Sequence, residues 1–350
     1  MKIMHIASNS INYPNKFVPI YSKMIDENLY NSKHDFYYIG DNSNLDGSLL
    51  KSVVSNSFFS GFKLLFKFRK YDKIIFHSIP ASKVAIIISM FLFLFRNTSL
   101  VVWGGEIHHK NDNIKSIRNL IMPFFEKAFI KGCQDFITYI KTDFEFIKNN
   151  INSRAKFIDL GGFYPSNLIK NDVSKLRSEQ HNNSKLNVLI GSSALSRNNH
   201  FQLIDKISLF DSSFLNVIIP LSYGDKQYAE KVKSYAIEKI GFNSVTPIFD
   251  FIPFDDYLEL LKKIDIAIFD HKDQQGMGNI RYLIGIGKKV YLNKNSSSYE
   301  YLNSLGFIVF DNNEINLDVS TYRKNINLAQ KLFSYELSIS KQRKYFEKKL

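Results

Sequence analysis

Short apolar runs alternate along this chain with longer segments in which apolar residues recur every three or four positions. In the first half the short runs read KIMHIAS, DFYYIG, KIIFHS, SLVVWGG and DFITYI. In the second half they read LNVLIGSS, LNVIIPLSYG, IDIAIFD, KKVYLN and GFIVF. The segments between them, such as 117–131, 226–240 and 278–286, have the spacing of helices that bury one face. This alternation predicts repeated βαβ units and parallel sheets, which is an α/β fold.

One polar stretch interrupts the alternation. Residues 166–185, SNLIKNDVSKLRSEQHNNSK, are almost without aromatic side chains and have the composition of a linker. The chain has 350 residues, 45% of them hydrophobic, which is enough for two cores. We therefore predict two Rossmann-like parallel-sheet domains facing each other across a cleft. The predicted segments are a first domain 1–170, a linker 171–185, a second domain 186–325 and a basic C-terminal helix 326–350.

The net charge of +13 is local rather than spread along the chain. Residues 51–100 hold eight Lys and Arg against one acid, and residues 323–350 hold eight against two. A basic surface suits either nucleic acid or an anionic membrane, and no helix-turn-helix, zinc-finger or RNP pattern is present. The segment SGFKLLFKFRKYDK interleaves bases with aromatic residues, as a helix lying on a membrane does. The alternative is a core helix with a solvated face.

Two further features concern the compartment. The most apolar run, VAIIISMFLFLF at 84–95, has twelve residues, whereas a membrane span needs about 20. It is therefore predicted to be a core helix, and the alternative is a segment that dips into a bilayer. With one cysteine, Cys133, and no signal-peptide pattern at the start, the chain is predicted to work in the cytoplasm.

Ligands of parallel sheets bind beyond the carboxyl ends of the strands, so polar strand ends are the candidate sites. The segment QQGMG, Gln274 to Gly278, lies between a strand-like run and a helix-like run. Glycines allow a ligand to approach the backbone, and free N–H groups at a helix start favour an anion such as phosphate. A turn without a ligand is the alternative on local grounds.

Two other strand ends in the second half are polar. LIGSSALSRNNH offers Gly191, Ser192, Ser193 and Asn198, which could hold a phosphate or simply cap a helix. IIPLSYG offers Tyr223, whose ring could stack on a base or lie in the core. Three polar strand ends in one domain favour a nucleotide pocket.

In the first half, VVWGGEIHHK ends a strand with Trp103, two glycines and Glu106. A carboxylate there is a candidate general base, and His77 at another strand end is the second candidate. His5 and His77 at strand positions are more often buried structural histidines. The adjacent histidines after Glu106 point opposite ways on a strand, and no Cys/His/Asp set completes a metal site, so none is predicted.

The segments GSSALSRNNH, PLSYG, FDDYLELLKKIDIAIF, QQGMG and KKVYLN, in this order, resemble glycosyltransferase family 56. The first half agrees more loosely, through His5, Asn15, His77 and WGGE. The resemblance implies a GT-B fold, a donor nucleotide sugar held by the second domain and a lipid-linked acceptor reached from the first. It implies three groups of site residues. For the donor they are Gly191, Ser192, Ser193, Asn198, Tyr223, Gln274, Gln275, Gly276, Met277, Gly278 and Asn293. For the acceptor they are Asn15 and Trp103, and for catalysis Glu106 and His77.

We therefore expect an enzyme without metal or cofactor. It would move a deoxyamino-sugar from a dTDP donor to an undecaprenyl-diphosphate-linked oligosaccharide of a bacterial surface polysaccharide. It would lie on the inner, anionic face of the cytoplasmic membrane and bind no nucleic acid. Asp273 before the paired glutamines and the longer carboxylate of Glu106 depart from the family pattern, which leaves the donor sugar and the acceptor open. The alternatives are a transferase using a UDP- or GDP-sugar and a non-catalytic membrane-associated binding protein.

Overall fold

The computed structural model describes residues 1–8, 14–28, 31–40, 50–80, 82–104, 117–169, 185–272 and 274–347. The chain forms two compact units, one made of Met1–Ser166 with Glu336–Leu350 and the other of Asn167–Tyr335. Nearly all of the predicted linker, 171–185, lies outside the described residues. The roles predicted for the two domains and for the C-terminal helix remain predictions.

The first unit is built on a parallel sheet of seven strands in the order β3-β2-β1-β4-β5-β6-β7. These strands are β1 Lys2–Ser8, β2 Lys33–Ile39, β3 Leu50–Val54, β4 Lys73–Phe76, β5 Thr98–Val101, β6 Asp135–Ile137 and β7 Lys156–Ile158. The helices between them are α1 Pro14–Glu27, α2 Phe58–Phe68, α3 Ser82–Phe91, α4 Ile117–Gly132 and α5 Lys141–Asn150. The strand order reverses direction between β1 and β4, as in a Rossmann sheet.

The core of this unit lies between one face of the sheet and the inner faces of α2, α3, α4 and α5. Val84, Ile88 and Leu92 are fully buried there, which confirms a core helix over the first part of the predicted run 84–95. The helix ends at Phe91, however, and Phe93 and Leu94 in the short turn after it are exposed. In the described part of the chain, no helix combines the length and the apolar character that crossing a membrane requires.

The last helix, α12 (Tyr335–Glu347), packs on the first unit although it follows the second in sequence. Ser338 donates to the carbonyls of Leu160 and Gly162, and the Tyr21 hydroxyl donates to Gln342. Phe346 is fully buried. Through these contacts the C-terminal helix becomes part of the first unit.

The second unit contains a parallel sheet of six strands in the order β10-β9-β8-β11-β12-β13. These strands are β8 Leu186–Ile190, β9 Leu215–Pro220, β10 Val245–Ile248, β11 Ile266–Ile268, β12 Lys289–Leu292 and β13 Phe310–Asp311. The helices of this half of the chain are α6 His200–Ile207, α7 Lys226–Ile240, α8 Phe254–Lys262, α9 Met277–Gly285, α10 Ser297–Ser304 and α11 Arg323–Leu332, followed by α12 Tyr335–Glu347, which packs on the first unit. The prediction of two parallel α/β sheets is confirmed.

Candidate functional site

The strand order of the second sheet locates a ligand crevice at one place. β8 and β11 are neighbours, with Ile190 opposite Ile268, and the chain leaves them toward opposite sides of the strand order. Open parallel sheets bind ligands beyond the carboxyl ends of strands at such a switch point. The loops that follow these strands contain the Ser192 and QQGMG segments singled out in the sequence.

The loop after β8 is folded around the side chain of Asn198. Its Oδ1 accepts from the Ser192 N–H at 3.0 Å and from the Ser192 hydroxyl at 3.2 Å. Its Nδ2 donates to the Ser193 carbonyl and hydroxyl, both at 3.1 Å. All three residues are buried. Asn198 therefore fixes the loop, and the Ser192 and Ser193 side chains are turned inward.

Gly191 begins this loop in a conformation that a side chain would oppose. Its φ is +69°, and a Cβ there would lie 2.4 Å from His200 Nε2. His200 is buried, and burial lowers the pKa of its imidazole to about 4. The neutral ring packs directly against Gly191. The loop therefore requires glycine at position 191 for packing, independently of any ligand.

The loop after β11 turns into α9 at Gly276. Gly276 has φ +59°, and a Cβ would lie 3.1 Å from the Ser192 side chain, so the two loops touch here. Gly278 lies inside α9, and its φ is not in the left-handed region. The backbone thus requires glycine at 276 but not at 278. The start of α9 offers N–H groups and the positive end of its dipole.

The predicted donor residues around Gly276 have different surroundings. Met277 is buried. Gln274 and Gln275 are partly exposed, and the Gln275 Oε1 lies 3.5 Å from Asn198 Nδ2. The Gln275 Nε2 has no hydrogen-bond partner among the described residues. This amide is therefore a donor that a ligand can engage.

A buried aspartate that the sequence analysis did not select joins the ends of three strands, β11, β12 and β13, through its carboxylate. Asp270 Oδ1 accepts from Asn293 Nδ2 and from Asn312 Nδ2, both at 2.8 Å. The Asp270 carbonyl accepts from Asn199 Nδ2 at 2.8 Å. The predicted donor residue Asn293 is thus held against Asp270. The aspartate that ends IDIAIFD was a visible signal, whereas its partner Asn312 has no local signal in the sequence.

The loop after β9 completes the crevice. The Tyr223 carbonyl accepts from the Ala194 N–H at 2.8 Å, which joins this loop to the one after β8. Gly224 has φ +118°, and a Cβ there would lie 2.4 Å from the Ala194 carbonyl oxygen. The Tyr223 side chain is half-buried. Across 191–199, 221–224 and 274–279 the only charged residue is Arg197, whereas Asp225, Asp270 and Asp273 border these stretches in sequence.

The other predicted residues belong to the first unit. Glu106 lies outside the described residues, and of Asn15 only its place in α1 is described. Trp103 stacks on Tyr164 with ring centroids 4.8 Å apart, and its Nε1 donates to the His77 carbonyl at 2.6 Å. The roles predicted for these residues stay predictions.

His77 is part of a chain of three buried histidines. His5 Nδ1 lies 3.1 Å from His77 Nε2, and His5 Nε2 lies 2.9 Å from His34 Nδ1. The chain ends at the Tyr164 hydroxyl, 2.7 Å from His77 Nδ1, and at the Ser32 hydroxyl, 2.8 Å from His34 Nε2. Both nitrogens of His77 are therefore engaged within the protein. Sequence reasoning named His5 and His77 but missed His34.

These imidazoles are held neutral. Burial lowers the pKa of His77 to about 3 and that of His34 to about 4, and it holds the pKa of His5 well below its usual range. A neutral imidazole has one donor and one acceptor nitrogen, so three rings in a row can satisfy every link. An added proton would set one N–H against another. In the described ranges, no group of three His, Cys, Asp or Glu is arranged to hold a metal ion.

The sequence model of the family described as 4-alpha-L-fucosyltransferase, glycosyl transferase group 56, matches residues 65–332. The chain belongs to glycosyltransferase family 56. The matched range contains every loop of the crevice described above. The predicted family is confirmed, and with it the assignment as a glycosyltransferase.

Solved structures show the same fold at low sequence identity. HepE of Anabaena, solved with UDP and glucose, has a TM-score of 0.71 and 16% identity over 99% of each chain. Sucrose-phosphate synthase of Thermosynechococcus elongatus has a TM-score of 0.68 and 11% identity, over 99% of this chain and 98% of that one. A glycosyltransferase of Rickettsia africae has a TM-score of 0.61 and 13% identity, over 100% and 99%. The predicted GT-B fold is confirmed.

Proposed function

We propose that this family 56 member transfers a deoxyamino-sugar, such as N-acetylfucosamine, from a dTDP donor to an undecaprenyl-diphosphate-linked oligosaccharide. The observation that carries the donor half is the crevice at the β8/β11 switch point. It combines the start of a helix with a Gln275 amide Nε2 that has no hydrogen-bond partner among the described residues. Those features suit a nucleoside diphosphate, and the UDP bound to HepE supports that class of ligand.

The sugar is proposed from the family rather than from the crevice. The family description names a fucosyltransferase, and fucose is a deoxy-sugar. Partly exposed Gln274 and Gln275 can both donate to and accept from sugar hydroxyls. A UDP- or GDP-sugar remains the alternative donor, and titration of the protein with dTDP, UDP and GDP separates the three.

Transfer requires removal of the proton from the acceptor hydroxyl as its oxygen attacks the anomeric carbon, while the nucleoside diphosphate leaves. We propose Glu106 as the base, since a carboxylate does this without a metal. His77 is the second candidate, and its path to an acceptor would run through the Tyr164 hydroxyl. The excess of Lys and Arg in 51–100 is proposed to hold the enzyme on the anionic inner face of the cytoplasmic membrane.

Gly278 gives the sharpest test of the donor site. Because its φ is ordinary for a helix, Gly278→Ala and Gly278→Val keep an allowed backbone and add only bulk at the start of α9. We expect dTDP affinity to fall in the order Gly, Ala, Val, with no measurable binding to the Val variant by calorimetry. Circular dichroism checks that each variant is folded. Unchanged affinity in a folded Val variant would remove the diphosphate from this helix start.

The non-catalytic alternative needs a different measurement. Wild-type protein incubated with a dTDP-deoxyamino-sugar and a lipid-linked acceptor is expected to release dTDP and to lengthen the acceptor by one sugar. Donor binding without transfer or hydrolysis, across dTDP-, UDP- and GDP-sugars, would favour a binding protein.

A further inference from the structure

The helices on one side of the first sheet expose large apolar side chains that the proposed chemistry does not use. Six of them expose more than half of their surface, namely Phe59, Phe66, Met90, Phe93, Leu94 and Phe124. They lie on α2, on α3 and the short turn after it, and on α4. Soluble proteins expose single apolar residues routinely, but a group of this size marks an interaction site.

The six residues belong to adjoining elements. At Gly61 in α2 an added Cβ would lie 2.7 Å from Ile87 Cβ in α3. At Gly132, the last residue of α4, it would lie 2.9 Å from the side chain of Leu92. The glycines let these elements pack closely side by side, and the six exposed side chains all belong to this one layer of helices. We call the six residues the aromatic face.

Helix α2 shows that this exposure is systematic. Its inner side buries Leu64, Leu65 and Phe68 in the core. Its outer side presents Phe59, Phe62 and Phe66, spaced three and four residues apart as neighbours on one helix face. The helix is therefore apolar on both sides, which a core helix with a solvated outer face does not explain.

Positive charge surrounds the aromatic face. Lys63, Arg69, Lys83, Arg96 and Lys127 are all exposed on the same elements or directly after them. Within the described residues of 58–104 and 117–132, the acids are Asp72 and Glu126. Burial raises the pKa of the Glu126 carboxyl. The complement of such a surface is apolar in its interior and anionic where it meets water.

We propose that the aromatic face inserts into the boundary between headgroups and acyl chains of an anionic phospholipid bilayer, with the surrounding Lys and Arg side chains at the phosphate level. Long basic side chains can lie along apolar surface and keep their charge in the polar layer. The Lys63 Nζ already lies 4.5 Å from the centre of the Phe59 ring. This inference rests on the proposed function only in its premise that the enzyme works beside a membrane, and it adds an apolar contribution that salt does not screen.

Vesicle sedimentation with two pairs of substitutions tests the proposal. Phe66→Ser with Phe93→Ser removes two side chains that are each 70% exposed. The control, Phe214→Ser with Phe242→Ser, removes side chains that are 61% and 76% exposed on the second unit. On phosphatidylglycerol-containing vesicles we expect the first pair to lower binding about tenfold or more and the control to leave it unchanged. A tenfold loss corresponds to about 1.4 kcal/mol, well within the value of burying two phenylalanines.

Salt separates insertion from charge attraction. In about 1 M salt, where the screening length is about 3 Å, the wild type is expected to keep measurable binding that the Phe66/Phe93 variant lacks. Lys63→Gln with Lys127→Gln is expected to weaken binding at low salt only. Complete release of the wild type by salt would overturn insertion and leave charge attraction alone.

A fluorescence probe reports depth directly. Phe66→Trp is expected to shift its emission to the blue on adding vesicles and to be quenched by lipids brominated on their acyl chains, whereas Phe242→Trp is not. An unshifted Phe66→Trp spectrum would show that the surface does not enter lipid. Concentration-dependent dimerisation of the wild type in sedimentation velocity, abolished by Phe66→Ser with Phe93→Ser, would show that the surface binds a second copy of the chain instead. Calorimetric titration of the same variants with dTDP tests the donor site separately. A result against membrane insertion can therefore be told apart from a result against the proposed donor site.

Discussion

Helices α2 and α8 occupy the same place in the two halves of the molecule, and their outer faces have opposite chemistry. Each connects the edge strand on one side of its sheet to the strand beside the switch point, β3 to β4 and β10 to β11. The outer face of α2 presents Phe59, Lys63 and Phe66, whereas α8 exposes Asp255, Asp256 and Glu259. The same topology therefore carries, on α2, a surface that suits a partner with anionic and apolar groups. On α8 it carries an acidic surface, which repels such a partner.

The two units also differ in where their hydrogen-bonded polar residues lie. In the second unit they lie in the loops beyond the strands, where Asn198 and Asp270 hold the loops to one another. In the first unit a row of neutral imidazoles, His34, His5 and His77, lies buried across three neighbouring strands. The shared fold supplies a switch point twice, and it carries hydrogen-bonded polar loops in the second unit and a row of buried imidazoles in the first.

The largest effect that would sharpen this comparison is expected at Glu106. Glu106→Gln keeps the size of the side chain but cannot accept a proton, so transfer should fall by roughly 10²-fold or more, within the usual range for general-base catalysis. Because Glu106 belongs to the first half, dTDP affinity should stay at the wild-type value. The measurements are the rate of sugar transfer and calorimetric titration with dTDP. A near-native transfer rate would move the base elsewhere, and His77→Ala would be the next variant.

The second prediction concerns acid and the row of histidines. In the unfolded chain a histidine titrates near pH 6.5, whereas burial lowers the folded pKa of His34 to about 4 and of His77 to about 3. The unfolded chain therefore binds more protons, so stability is lost as the pH falls below 6.5. Between pH 7 and 6 each of these two rings contributes a loss of less than about 1 kcal/mol, and His5, whose pKa burial also lowers, adds to that loss. Hydrogen exchange of the β1 and β4 amides, corrected for the intrinsic rate, measures this change.

Two variants tie that change to its cause. His34→Gln retains a donor and an acceptor but does not titrate, so it should remove about a third of the pH slope at β1. His200→Gln, a buried histidine of the second unit, should leave the slope at β1 unchanged. A β1 slope that neither variant alters would show that the acid sensitivity has another origin.

Most of the fold was predictable because buried parallel strands are apolar on both faces. The runs at β1, β4, β8, β9 and β12 were found, and helix α7 was predicted at its observed bounds, Lys226–Ile240. The strands that the sequence analysis missed are β3, β7 and β10, and all three lie at sheet edges. An edge strand is covered on fewer sides and needs fewer apolar residues, as in the mostly exposed Lys156–Ile158.

The candidate site was predictable only in part. Ser192 and Gly276 were found because each lies in the loop that follows a strong strand signal. Their contact, and the bonds from Asp270 to Asn293 and Asn312, depend on which strands become neighbours, and residues far apart in sequence give no local sign of that. His34 was missed for the same reason, because its link to His5 exists only once β2 pairs with β1.

The last prediction compares two buried asparagines at opposite ends of β8. Asn198 holds the loop beyond the carboxyl end, through Ser192 and Ser193, while Asn187 lies at the start of the strand and donates to the Lys263 carbonyl at 2.9 Å. Replacing either with Ala leaves buried polar groups unpaired, so both variants should lose about 1–3 kcal/mol of stability. Only Asn198→Ala also frees the N–H and hydroxyl of Ser192, whose side chain lies beside Gly276, and we expect its dTDP affinity to fall about tenfold, or about 1.4 kcal/mol. Denaturant unfolding and calorimetry on both proteins give the two quantities. Equal losses of affinity in the two variants would mean that Asn198 acts through general stability, and the loop after β8 would then have no special part in holding the donor.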